Sequence, residues 1–195
     1  GRTIKADARP LLILWPFAPV ALVYDVQDTE GLPLPDDAFG FGATGDMTDL
    51  RMAEIIASLR DADIHVKPID VGANRAGLIR RIWTSPDGKR PDRYEIALNQ
   101  NYKAAGKFAT LAHELGHLWL GHLGSDSKRK ILDRRLVPHH IREIEAESVA
   151  YILCHRNGVK VDSAQYLSGY VNTNTQLDGV EVHRILQAAG QVESK

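Results

Sequence analysis

The order of elements along this 195-residue chain predicts an α+β fold. Strand-like runs crowd the first hundred residues, one helix interrupts them, and helical periodicity takes over after residue 103. The expected architecture is a strand-rich, mostly antiparallel N-terminal half with one helix (1–100) and a C-terminal bundle of helices (101–195). Together they are expected to form a single domain. Composition is ordinary for a globular protein, 44% hydrophobic and 25% charged, so a chain of this length can bury a sizeable core. A net charge of −1 removes any global electrostatic reason to expect nucleic acid or an anionic membrane. No apolar run approaches the ~20 residues a membrane helix needs. The lone Cys154 excludes an internal disulfide, fits a reducing, cytoplasmic setting and reads as a small buried apolar side chain. The start at Gly1 rather than Met suggests that upstream residues are missing.

Each element has its own signal. Residues 1–9 are polar and read as an entering arm. Leu11–Trp15 and Val20–Val26 are β-rich runs split by a Pro-bracketed turn, the pattern of a hairpin. Residues 28–45, rich in Pro and Gly, read as a long loop. Asp46 or Thr48 can cap a helix carrying Leu50, Ala53, Ile56, Ala57 and Arg60 at helical spacing. His65–Val71 and Ala76–Trp83 read as strands around a turn, and Ser85-Pro86-Asp87-Gly88 is a strong turn signal. Arg93–Leu98 alternates polar and apolar, as a half-buried or edge strand does. Helices are expected over about 104–121, 140–157 and 177–189, with a further one opened by Asp162 or Ser163 and a short helix or turn at 131–137. Trp15, Trp83 and Trp119 read as core.

The stretch that carries chemistry is Thr110–Leu120, where His113-Glu114-x-x-His117 sits inside an apolar run. On a helix, residues four apart lie about 40° from each other. His113 and His117 can therefore grip one metal ion, and neutral imidazoles suit zinc. Glu114, beside that face, is placed to act as general base on water that zinc has acidified. The bland alternative, polar residues scattered on a core helix, makes two imidazoles and a carboxylate costly without partners. A catalytic zinc wants a third protein ligand and an open position. On the next long helix Glu143 and Glu147 share a face, whereas Glu145 lies about 200° round from Glu143. Glu143 is favoured as the ligand and Glu147 as the acceptor for a ligand imidazole's spare N–H. If that face is instead a solvated acidic one, the third ligand is unknown.

Phe108–His117 together with Glu143–Tyr151 resembles the ImmA/IrrE family of zinc metallopeptidases, and the related C-terminal domain of ArdC antirestriction proteins. The second-helix pattern Glu-x-x-Ala-Asn/Glu-x-x-Ala matches from Glu143 to Ala150. The layout also looks like the gluzincin plan, so the resemblance implies a zincin-like domain. It implies cytosolic, zinc-dependent cleavage of a regulatory protein, with a helix-turn-helix repressor as one such substrate.

The expected mechanism has zinc on His113, His117 and Glu143, proton transfer through Glu114, and one further oxyanion donor. Tyr166 heads the candidates for that donor, followed by Tyr170 and His183. The strand around Tyr94–Asn99 could take an extended substrate as an added strand. Two other classes compete. Lys128-Arg129-Lys130 with Arg134-Arg135 could hold nucleic acid, making the chain a binding or antirestriction protein with a zinc site of little activity. A zinc hydrolase acting on a small molecule is the other. His122 is expected to point about 140° away from His117 and to cap the helix end. His139 and His140 are expected at the surface.

Overall fold

A computed structural model describes residues 2–13, 21–24, 28–32, 43–71, 76–161 and 177–195. The chain divides into two compact units, residues 1–36 and 37–195. In the first, β1 (Arg2–Ile4) pairs antiparallel with β4 (Thr29–Gly31), and β2 (Leu11–Ile13) pairs antiparallel with β3 (Ala21–Val23). The Leu11↔Val23 register is that of the expected hairpin; its turn and Trp15 lie outside the described residues. The expected entering arm holds a strand instead. Arg2 ties it down, its guanidinium donating to the Thr29 hydroxyl (2.8 Å) and carbonyl (2.7 Å).

In the second unit, the expected loop ends in β5 (Thr44–Gly45), which pairs antiparallel with β9 (Val159–Lys160). Strands this short owe their existence to a partner more than a hundred residues away, which local sequence does not reveal. Helix α1 (Asp49–Asp61) is capped by Thr48, whose hydroxyl accepts the Arg51 N–H at 3.2 Å.

The main sheet contains β6 (Ile64–Ile69), β7 (Gly77–Trp83) and β8 (Arg93–Asn99), in the order β6-β8-β7. The β6–β8 pair is parallel and the β7–β8 pair antiparallel, so this sheet is mixed rather than mostly antiparallel. β8, expected as a half-buried or edge strand, is the central one, with Tyr94 and Ile96–Asn99 all buried. Its one partly exposed acid explains the deceptive alternation. Glu95 lies between Lys67 of β6 (2.9 Å) and Arg80 of β7 (2.7 Å), so a charge marks a doubly paired strand. Pro68 sits on the edge strand β6, where a missing N–H is tolerated. Trp83 is half-buried beneath Arg93, 5.3 Å from its ring, rather than in the core.

Helices α2 (Ala104–Trp119), α3 (His139–Arg156) and α4 (Val182–Glu193) complete this unit. α4 starts later than expected because Leu177–Val180 closes a turn, Val180 N–H donating to the Leu177 carbonyl. α2 is buried nearly all round; Lys107, His113 and His117 are its only residues that are not. Leu111, Leu115 and Leu118 join Ile96, Val149, Leu153, Cys154 and Ile185 in one apolar cluster. α2 and α3 touch backbone to backbone at Gly116. A Cβ there would stand 3.1 Å from both Cα and carbonyl oxygen of Ala146. That close approach brings the carboxylates of α3 within reach of the imidazoles of α2.

Candidate metal centre

His113 and His117 stand one turn apart with their Nε2 atoms 3.1 Å from each other. Glu143, near the start of α3, reaches both: Oε2 is 3.5 Å from His113 Nε2 and Oε1 is 3.5 Å from His117 Nε2. Among the described residues, these three form the group whose donor atoms could hold a metal ion. An ion about 2 Å from each donor needs tetrahedral donors roughly 3.3 Å apart, so the separations fit a small dication. The chemistry agrees. Two bare imidazole nitrogens repel at 3.1 Å, so a proton or a metal ion must lie between them.

In the metal-free protein a proton takes that place. Burial pushes His113 down, but the Glu143 and Glu147 carboxylates outweigh it and raise the imidazole to about 9. Burial and the neighbouring charge of His113 drive His117 down to about 3. Glu147 Oε2 accepts from His113 Nδ1 at 3.2 Å. Glu114 is buried beside this group, and burial raises its carboxyl to about 7; the backbone N–H of Ile79 on β7 bonds to it and works the other way. Thus β7, an edge strand, borders the site, whereas β8 has no free edge. The Tyr94–Asn99 strand cannot accept an added peptide strand, and that expectation is corrected.

His122 is also corrected. It is buried, with Nδ1 2.9 Å from His117 Nδ1 and Nε2 3.0 Å from Glu145 Oε2. The 100° per residue extrapolation fails because α2 stops at Trp119 and Gly121 turns left-handed (φ +79°). Gly121 N–H then bonds to the Leu118 carbonyl and His122 N–H to the His117 carbonyl, both at 3.0 Å. This Schellman arrangement brings the second residue past the cap back over the third from the end. Leu-Gly-His after the second histidine was the signal.

Glu145 does turn away from Glu143, but into the protein. It is wholly buried, and both its oxygens take Arg134 N–H groups at 2.8 Å while Glu181 N–H donates at 3.0 Å. The basic cluster is therefore largely engaged inward. Arg134 is buried on Glu145, and Arg129 binds Asp126 and the carbonyls of Asp92 and Ala62, its guanidinium over Tyr94. Arg135 pairs with Asp133, leaving Lys128 and Lys130 exposed. His139 is exposed, yet its Nδ1 is 3.3 Å from Glu143 Oε1; His140 is half-buried. Tyr166 and Tyr170 lie outside the described residues, and His183 is exposed. No helix among the described residues is long and apolar enough to cross a membrane.

Among curated proteins none matches the chain. A solved structure, the Mn(II)-bound antirestriction ArdC protein from the R388 plasmid, is 18% identical, with 100% of this chain and 74% of that one covered at a TM-score of 0.40. The family model of the IrrE N-terminal-like domain, Peptidase_M78, matches residues 60–155, a span that holds the sheet, the metal helix and the carboxylate helix. Over those residues the chain matches the IrrE N-terminal-like family of peptidase domains, the ImmA/IrrE family its motifs resemble.

Proposed function

We propose that the chain is a zinc-dependent metallopeptidase that hydrolyses peptide bonds of a cytosolic regulatory protein. The observation that carries this reading is the cluster of His113, His117 and Glu143, whose imidazole nitrogens lie 3.1 Å apart and each 3.5 Å from one of the two carboxylate oxygens, with a buried glutamate beside it. Two imidazoles and a carboxylate are the ligand set of a hydrolytic zinc. Bound there, zinc would supply Lewis acidity to water and to a peptide carbonyl.

The protein's own residues do the rest. Glu143 brings the negative charge that two neutral imidazoles lack. Glu147 accepts a hydrogen bond from His113 Nδ1–H, which keeps the proton there and leaves Nε2 bare for the metal. Glu114 is the proton carrier. Buried beside the ligand group, its carboxylate is placed to accept a proton from water and return it to the departing nitrogen. The edge strand β7 offers backbone groups to an extended peptide, which suits a protein substrate better than a small molecule.

Replacing Glu114 by Gln tests this reading. The variant should keep its zinc and lose cleavage by a factor of roughly 10²–10⁴, the range for a general base. Comparing proteomes of cells carrying wild type or Glu114→Gln should reveal fragments present with wild type alone. Wild-type turnover by the Gln variant would remove Glu114 from the mechanism. A repressor should be among the fragments if the substrate resembles those the family suggests.

A further inference from the structure

We propose that His122 and Glu145 form a positioning relay that fixes the tautomer of His117. The inference rests on the reading that His113, His117 and Glu143 hold a metal, and it adds two residues that the ligand motif does not contain. Each link is set by the one before it. Glu145 is wholly buried, and its oxygens accept two Arg134 N–H groups and the Glu181 amide. A carboxylate so held accepts and does not donate. The contact at 3.0 Å therefore requires a proton on His122 Nε2.

The other end is set by ligation. If His117 gives its Nε2 lone pair to a metal, its remaining proton is on Nδ1. That atom faces His122 Nδ1 at 2.9 Å, so one of the two nitrogens donates and the other accepts. His117 donates, and His122 Nδ1 must be bare. Both ends thus demand the same form of His122, a neutral ring with its proton on Nε2. The opposite form would place a proton on His117 Nε2, pointing at His113 rather than offering a lone pair.

The fold builds this contact deliberately. The left-handed turn at Gly121 seats His122 over His117, where this helix ending ordinarily places an apolar pair. A Cβ on Gly121 would lie 2.0 Å from the Leu132 carbonyl oxygen, so a side chain there would break the seat. His113 leans on a carboxylate directly, through Glu147; His117 reaches its carboxylate through one intervening ring.

The test uses the full chain with Zn(II) alone and Co(II) alone. His122→Phe fills the ring's space without hydrogen bonds. It should weaken zinc binding about 10–100-fold, measured by chelator competition, and shift the visible spectrum of the Co(II) protein. His122→Asn keeps an acceptor near the Nδ1 position and should recover most of that loss. In zinc-loaded wild type, imidazole ¹⁵N chemical shifts should show His122 protonated on Nε2 and His117 on Nδ1, a readout that needs no variant to fold. Wild-type zinc affinity and an unchanged Co(II) spectrum in His122→Phe would overturn the relay. So would a His122 that carries its proton on Nδ1 in the zinc-loaded wild type. Failure of the wild type itself to bind zinc would overturn the metal reading on which the relay rests, whereas zinc binding by the wild type with an unaffected His122→Phe overturns the relay alone.

Discussion

Two faces of α3 carry the same chemical group to opposite ends. Glu143 and Glu147 approach the imidazoles of α2, while Glu145, between them in sequence, enters a closed pocket and meets Arg134. All three are buried. What separates them is the partner. Glu145 has a permanent cation and an N–H filling its oxygens, so it is complete without any ligand. Glu143 faces the imidazoles of His113, His117 and His139, which become good partners for an anion when a proton or a metal lies among them. One face is complete without an ion and reaches the site only through His122, and the other is organised for an ion.

The sharpest way to break this contrast is to remove the cation that holds Glu145. Arg134→Met leaves Glu145 buried without its cation. Folding stability should fall by about 3–5 kcal/mol in urea unfolding of the metal-free protein. A change below about 1 kcal/mol would mean that Glu145 is not the anchor its burial suggests. Next comes the spacing between the two helices. Gly116→Val should cost about 1–3 kcal/mol through overpacking against Ala146, and should lower metal affinity because the donor cluster opens. Unaltered thermal stability and metal uptake would show that the close approach is unimportant. The functional side is cut more gently. Glu147→Leu removes the acceptor for His113 and should weaken zinc binding by about 10–100-fold, read by chelator competition. Glu147→Gln, which keeps an acceptor, should lose less.

The smallest effect is that of pH. Burial alone would raise Glu145, but the bonds from His122 and Arg134 prevail and lower it to about 2 from the ordinary 4.5. The unfolded chain therefore takes up its proton first as pH falls. The stabilisation from Glu145 is complete above about 4.5 and disappears between there and about 2. Urea midpoints measured from pH 6 down to pH 3 should decline for the wild type and decline less for Arg134→Met. Parallel declines would assign the acid sensitivity to other groups.

The sequence reads most clearly where a spacing rule acts inside one element. His113 and His117 share a face because they are four apart on an uninterrupted helix, and Glu143 and Glu147 do so for the same reason. The Leu11–Val23 pairing follows from two β-rich runs and a Pro-marked turn. The misreadings fall where elements end or meet. His122 was extrapolated along a helix that Gly121 had already ended. β8 alternates like an edge strand because Glu95 satisfies cations on both sides, which only the pairing with β6 and β7 makes visible. Arg129 and Arg134 read as part of a basic cluster that could hold nucleic acid, since nothing local shows that Asp126 and Glu145 are buried to receive them. The peptidase family model spans the stretch where these long-range contacts meet, residues 60–155.

The central claim is that α2 and α3 close their side chains around a single dication. Equilibrium dialysis against micromolar zinc, followed by metal analysis of the retained protein, tests it most directly. One zinc per wild-type chain is expected, falling to none for His117→Ala and for Glu143→Ala while both variants stay folded. A wild type that retains no zinc, or a Glu143→Ala protein that retains as much as wild type, would contradict the account.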